Sequence, residues 1–331
     1  MGHVNISLRN GIFVELEGKS YSLDPSGPVK ADYTFVSHAH LDHVQKGSDR
    51  NSRVLASRET CLLAGARGFQ IGQPNPDADS DGVALLDSGH ILGARAICID
   101  DELLYTGDAA GRDRAFMGRC KTRKARVMIT ESTFGTTNYV FPPIPEVVKE
   151  VNQTIATMFD KGRPVVLMGY ALGKSQVLSN LFSSWSPLYV HEEVSRMSDV
   201  YRDCGIALKK GERVPEDLGN LERGPWVMFT PVLSTRNALI QRLKKDYGAA
   251  IVAFSGWAAD PGYRYSLGAD YAFPLSDHCD YRELLALVKE VSPELVYTTH
   301  GFTEEFAHDL RMEGFDAKPL TDVQQAVLSD Y

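Results

Sequence analysis

The stretch Ser37-His38-Ala39-His40-Leu41-Asp42-His43-Val44 decides how the chain is read. Three histidines and an aspartate fall within positions 38–43, in a chain of 331 residues with nine histidines in all. Imidazole nitrogens and carboxylate oxygens are ligands for zinc and similar divalent metals. The run just before it, 32–36, is short and β-prone and reads as a strand ending in a sheet interior. A ligand-bearing loop that leaves a buried strand is where a metal site in an αβ protein is expected. A polar loop that merely happens to hold histidines is the competing reading. The crowding of histidine at this one place disfavours it.

Farther along the chain, three more segments place a ligand-type side chain just after an apolar run. They are Asp87-Ser88-Gly89-His90, Tyr105-Thr106-Gly107-Asp108 and Tyr297-Thr298-Thr299-His300. Six of the nine histidines therefore occupy candidate positions: His38, His40, His43, His90, His278 and His300. His3, His191 and His308 read as surface or structural. Taken singly, His90, Asp108 or His300 would be given a structural role; their order along the chain together with the opening stretch is what changes that.

The bulk numbers exclude several classes. A chain of 331 residues is comfortable for two domains and buries enough surface to need no staples. Hydrophobic content of 43% and charged content of 24% are those of a soluble globular protein. Five scattered cysteines without a Cys-x-x-Cys pair argue against a disulfide framework and suit a reducing cytoplasm. No apolar run reaches membrane-spanning length, and no secretory or myristoylation signal is seen at the start. A net charge of −8 is unlike a purely electrostatic nucleic-acid binder, although ligand carboxylates would be neutralised by metal. From Arg112 to Arg126 the chain carries seven Lys or Arg and one acid, Asp113. That stretch reads equally as a solvated face or as a polyanion contact.

Short strands fill the first third, at 4–8, 12–16 and 20–23, separated by turn-like Asn10-Gly11 and Glu17-Gly18. A helix is expected at 59–66, a surface loop at 73–82, and strands at 83–86, 94–99, 103–105 and 127–130. Pro142, Pro143 and Pro145 then mark a break. The period of Val147, Val148, Val151, Ile155, Met158 and Phe159 predicts a helix over 146–159. Apolar runs at 165–168, 188–190, 226–229 and 249–254 continue an alternating αβ pattern, which implies a second parallel-sheet module. A helix at 281–291 and a strand at 295–298 lead to His300.

As an ordered set, these pieces resemble the metallo-β-lactamase superfamily, and within it the nuclease branch with a β-CASP insertion. The matching residues are Asp24, the His38-Ala39-His40-Leu41-Asp42-His43 signature, His90, Asp108, Glu131 in Thr130-Glu131-Ser132-Thr133-Phe134-Gly135, His278 in Leu275-Ser276-Asp277-His278, and His300. A narrower similarity is to ligase-associated DNA exonucleases and to messenger-RNA 3′-end-processing factors. It rests on 169–176, Ser255-Gly256-Trp257, 275–280 and 298–303. The resemblance implies an α/β fold: a four-layer αββα domain from 1–139 and 263–331, a β-CASP domain inserted at 140–262, and an active site in the cleft between them. It implies two divalent metal ions, zinc or manganese. His38, His40 and His90 would hold one, Asp42, His43 and His300 the other, with Asp108 bridging and Asp24 orienting a ligand from behind. Asp42, Glu131 and His278 are the implied catalytic residues; His278 would protonate the leaving oxygen, and Glu131 would orient it and raise its pKa. The implied function is a metal-dependent DNA exonuclease, with an RNA-processing nuclease as the alternative and a small-molecule metallo-hydrolase as the remoter one. DNA or RNA would be the partner, with a DNA ligase or helicase implied by resemblance only, and no membrane.

Residues 169–175 read Gly-x-x-x-Gly-Lys-Ser, one residue short of the Walker A spacing, so a nucleotide-hydrolysing loop is rejected. In the β-CASP reading Gly173 and Lys174 would face a nucleic-acid backbone, and Tyr170 and Trp257 would stack on bases.

Overall fold

A computed structural model describes residues 4–44, 52–72, 82–215, 218–234 and 236–321. The loop expected at 73–82 lies outside the described residues except for Gly82. In chain order the elements begin with β1 (Asn5–Leu8), β2 (Ile12–Leu16), β3 (Lys19–Leu23), β4 (Tyr33–Phe35), β5 (Arg53–Leu55) and α1 (Arg58–Ala66). Next come β6 (Val83–Asp87), β7 (Arg95–Ile99), β8 (Leu103–Tyr105) and β9 (Val127–Ser132). The middle of the chain holds α2 (Ile144–Asp160), β10 (Val165–Met168), α3 (Lys174–Leu181), β11 (Leu188–Val190), α4 (Glu192–Asp203) and β12 (Glu212–Arg213). It continues through β13 (Val227–Thr230), α5 (Ala238–Tyr247), β14 (Ala250–Phe254), α6 (Gly262–Leu267) and β15 (Tyr271–Phe273). The last elements are α7 (Tyr281–Val291), β16 (Leu295–Gly301), α8 (Thr303–Met312) and β17 (Asp316–Pro319). The chain divides into two compact units, one from 1–113, 117–137 and 278–331, the other from 114–116 and 138–277.

The first unit is built on two sheets, ordered β1-β2-β3-β4-β5 and β17-β16-β9-β8-β7-β6. Each has an antiparallel flank and a parallel flank. The two-residue hairpin between β2 and β3 uses Glu17 and Gly18, both with positive φ, the backbone that a type I′ turn requires. Strand period assigns the side chains of the second sheet. Ile97, Ile99, Leu103, Tyr105, Val127, Ile129, Leu295 and Tyr297 pack with Val14, Tyr21, Leu23, Tyr33 and Phe35 of the first sheet in one core. The alternate residues Ala96, Cys98, Leu104, Met128 and Val296 pack instead with Leu284, Leu287, Val288 and Val291 of α7 and Phe306 and Leu310 of α8. Strands covered on both faces must be apolar on both, which is why they read as continuous hydrophobic runs.

The second unit carries a parallel sheet, ordered β12-β11-β13-β10-β14-β15. Helix α2 buries Val147, Val151, Ile155 and Met158, a single face at helical spacing. Sequence pattern did not reveal α4 because its buried face mixes Val194, Met197 and Tyr201 with Ser195 and Ser198. His191 caps that helix: its Nδ1 accepts from the Glu193 N–H at 3.2 Å.

Candidate metal centre

The opening stretch leaves β4, whose three residues are all buried, and carries its histidines past the strand end. Ser37 fixes the exit. Its N–H donates to Asp24 Oδ1 at 2.6 Å and its hydroxyl to Asp24 Oδ2 at 2.6 Å. The Ser37 carbonyl accepts from the Arg95 N–H at 2.9 Å, which ties the loop to the start of β7. Gly107 lets the next ligand loop approach, since a Cβ there would sit 2.7 Å from Ser37 Cβ and its φ is +54°.

Four ligand side chains from three separate segments converge. His38 Nε2 and His90 Nε2 lie 3.1 and 3.0 Å from His40 Nδ1. Asp108 Oδ2 lies 3.4 Å from His38 Nε2 and 3.5 Å from His90 Nε2. A tetrahedral zinc with ordinary bond lengths needs ligand atoms about 3.3 Å apart, so the set fits such an ion. His38 and His90 are buried, at 0% and 1% exposure. Burial pushes the His38 imidazole well below its usual range, and the surrounding imidazoles add to the effect, keeping a nitrogen lone pair free for a metal.

The other half of the stretch is arranged differently. His43 Nδ1 is 2.8 Å from Asp24 Oδ2, which leaves Nε2 3.6 Å from Asp108 Oδ2 and 3.7 Å from Asp42 Oδ2. Tyr105 donates to the same Asp24 oxygen at 2.8 Å; burial first, then Asp24, holds its phenol far above the usual range, so it remains a donor. Burial of His43 opposes its charge, but the Asp108 and Asp24 carboxylates outweigh that and raise it to about 10. Burial raises the Asp42 carboxyl while His43 lowers it, and the net shift is downward. The ring of His300 lies 5.5 Å from that of His43. His300 is the extra residue of a β-bulge in β16, with φ +58°, where the pairing to β9 shifts between Thr299 and Gly301. Ser132 Oγ donates to the His300 carbonyl at 2.6 Å and holds the bulge.

A second group shares Asp108. Among the described residues, the potential metal-holding groups are His38, His40, His90 and Asp108, and then Asp108, Glu131 and His278. Glu131 is fully buried at the end of β9. Its Oε1 accepts from the Ala109 N–H at 2.7 Å, Thr133 donates to Oε2, and His278 Nδ1 sits 3.0 and 2.9 Å from the two oxygens. Burial alone would raise Glu131, yet His278 and these donors lower it, so the carboxylate stays charged. Nε2 of His278 then lies 3.9 Å from Asp108 Oδ2.

The sequence pattern missed Ser37, Tyr105, Thr133 and the Ala109 N–H, all of which hold the named residues in place. Each is adjacent to, or within three residues of, one of them, and that adjacency was the available signal. The four residues expected to meet nucleic acid all belong to the second unit. Tyr170 is 52% exposed, whereas Trp257 is half-buried with Tyr139 edge-on at 5.3 Å. Gly173 is buried and supplies φ +90° at the start of α3. Lys174 departs from expectation: it is 1% exposed, and its ammonium lies 2.8 Å from Asp277 Oδ1 instead of facing solvent. Burial lowers it to about 8, with Asp277 opposing. The basic stretch also resolves largely into pairs. Arg112 meets Asp280 and Glu283, Arg114 meets Asp277, Lys121 meets Asp87, Arg123 meets Asp101 and Arg126 meets Glu102.

No family model matches the chain. It is 36% identical over 341 residues to a protein of Opitutus terrae named "Probable DNA ligase", covering 98% of this chain and 32% of that protein. It is 20% identical to "Transcription termination factor FttA" of Methanocaldococcus jannaschii, covering 90% of this chain and 62% of that one. The chain thus spans less than two thirds of either relative. A crystal structure of a protein of unknown function from Enterococcus faecalis V583 superimposes with a TM-score of 0.64 at 14% identity, over 99% of this chain and 100% of that one. That likeness concerns the mixed α/β fold alone. No helix among the described residues is long and apolar enough to cross a membrane.

Proposed function

We propose that the chain is a metal-dependent nuclease of the metallo-β-lactamase fold with a β-CASP insertion, hydrolysing phosphodiester bonds and acting foremost as a DNA exonuclease. The observation that carries this reading is the sharing of Asp108. One oxygen of this carboxylate closes the His38, His40 and His90 set and also lies beside the His278–Glu131 pair. Two divalent ions, held by His38, His40 and His90 and by Asp42, His43 and His300 with Asp108 between them, would supply a water nucleophile at neutral pH and charge neutralisation for phosphate oxygens.

The chain's own residues do the rest. Glu131, charged and buried, fixes the His278 ring through Nδ1 and leaves Nε2 to hand a proton to the departing oxygen. Asp24 fixes the tautomer and direction of His43 as a carboxylate behind a metal-ligating histidine does. Tyr170, exposed on the second unit, is available to stack on a base. The relative named as a DNA ligase supports DNA as the substrate and a ligation-linked repair role. The relative named as a transcription termination factor supports RNA cleavage as the second reading.

End-labelled DNA and RNA strands and a thioester, each with zinc or manganese supplied, provide the test. Faster shortening of DNA from an end is expected. Faster cleavage of RNA selects the second reading, and turnover of the thioester alone rejects both.

A further inference from the structure

Arg112 belongs to the basic stretch, and the chemistry above leaves it without a task. We propose that Arg112 is a positioning residue for His278, fixing the start of α7 against the segment that carries Asp108 and so setting His278 Nε2 at its distance from that carboxylate. The inference rests on the reading of His278 as proton donor.

Asp108 and Arg112 are four positions apart in one segment; His278 and Asp280 are two apart in another. Two contacts join the segments directly and one more joins them through Glu131, which holds His278. Ala109 takes part in two: its N–H donates to Glu131 Oε1 at 2.7 Å, and its carbonyl accepts from the Cys279 N–H at 2.7 Å. The third is the Arg112 fork, with Nε donating to Glu283 Oε1 at 2.6 Å and Nη2 to Asp280 Oδ2 at 2.6 Å. Gly111 makes room for it, since a Cβ there would meet Glu283 Cβ at 2.6 Å.

The carboxylate oxygens are divided between two jobs. Asp280 Oδ1 accepts from the Glu283 N–H at 2.9 Å, and Glu283 Oε2 accepts from the Asp280 N–H at 3.0 Å, a reciprocal cap on α7. Arg112 takes the two remaining oxygens. Each carboxylate therefore ties the helix start with one oxygen and the Asp108 segment with the other. The side chains are 22%, 4% and 17% exposed for Arg112, Asp280 and Glu283, so solvent screens the contacts only in part. A lysine would bring the charge without the fork, and one ammonium cannot meet both carboxylates along the same two directions.

The test compares the metal-loaded wild-type chain with Arg112→Lys, Arg112→Ala and His278→Ala on two probes. One is an end-labelled DNA strand, whose alkoxide leaving group needs a proton. The other is bis(p-nitrophenyl) phosphate, whose phenolate leaves without one. Arg112→Lys is expected to lower kcat on DNA on the order of tenfold to a hundredfold, with KM and zinc content unchanged and the activated ester cleaved near the wild-type rate. Added guanidinium is expected to restore part of the DNA rate to Arg112→Ala. In the metal-free chain, the Nδ1 proton resonance of His278 held by Glu131 is expected to broaden in Arg112→Lys. Should Arg112→Lys fail to fold by circular dichroism, Glu283→Gln carries the same comparison. Equal losses on both probes for the Arg112 or Glu283 variant, while His278→Ala loses only DNA cleavage, overturn the positioning role. Equal losses for His278→Ala itself overturn the donor reading, and the inference with it.

Discussion

The histidine-rich loop sends its two halves into different surroundings. His38 and His40 close with His90 and Asp108 into a set in which the His38 and His90 nitrogens lie 3.1 and 3.0 Å from that of His40, and two of the three rings are buried. Asp42 and His43 look toward His300 across a looser space, with the Asp42 side chain 73% exposed and His300 exposed on a bulge. The first half is pre-organised by packing. The second has one rigid member, His43, locked by Asp24; under the proposed two-ion reading, Asp42 and His300 would settle only on binding. Ligands already in place cost little to order on binding, so the first half should bind its ion more tightly.

The largest expected effect would abolish the contrast. Asp108→Ala removes the carboxylate that both halves share, and bound metal and turnover should disappear together, as read by metal analysis and DNA cleavage. Retention of a full metal complement would show that the halves do not share Asp108. Next comes the direct comparison of His90→Ala with His300→Ala by zinc titration. His90→Ala should lose the tight binding phase and His300→Ala only the weak one; the reverse order would invert the assignment of rigidity. Asp24→Asn probes the single rigid member of the looser half. Its expected cost is roughly 10–100-fold in affinity of the weaker ion, with the tight phase intact.

The smallest effect concerns burial as such. Lys174 has a folded-state pKa of about 8 against an ordinary value of 10.5. A lowered base binds fewer protons folded than unfolded between these values, so its contribution to stability rises with pH there. Denaturant unfolding of the wild type relative to Lys174→Met should shift in favour of the wild type as pH climbs from 8 to 10. A gap independent of pH would mean that Lys174 keeps its proton throughout.

Much of the fold was legible because burial forces pattern. Strands covered on both faces wrote apolar runs at 127–130, 165–168 and 295–298, and α2 wrote its single apolar face. Helix α8 and strands β15 and β17 were not expected: α8 lacks a side-chain cap, β15 is only part-buried, and β17 mixes exposed Asp316 and half-buried Lys318 with buried Ala317 and Pro319, so none of them writes an apolar run. The basic stretch stayed ambiguous for a related reason. Charge is visible in sequence, but its partners Asp87, Asp101, Glu102, Asp280 and Glu283 are mostly distant in the chain, so pairing is not.

Donor types were readable from the residues alone: imidazoles and carboxylates at strand ends, in an order that resembles a metal-dependent nuclease. Tertiary structure alone decided how those donors differ. Two sheets bring Ser37, Asp24 and Tyr105 behind one histidine, a bulge exposes another, and a guanidinium fork sets a third against Asp108. Ligand type is a property of a side chain. Rigidity is a property of what packs behind it, and that is fixed only when distant segments meet.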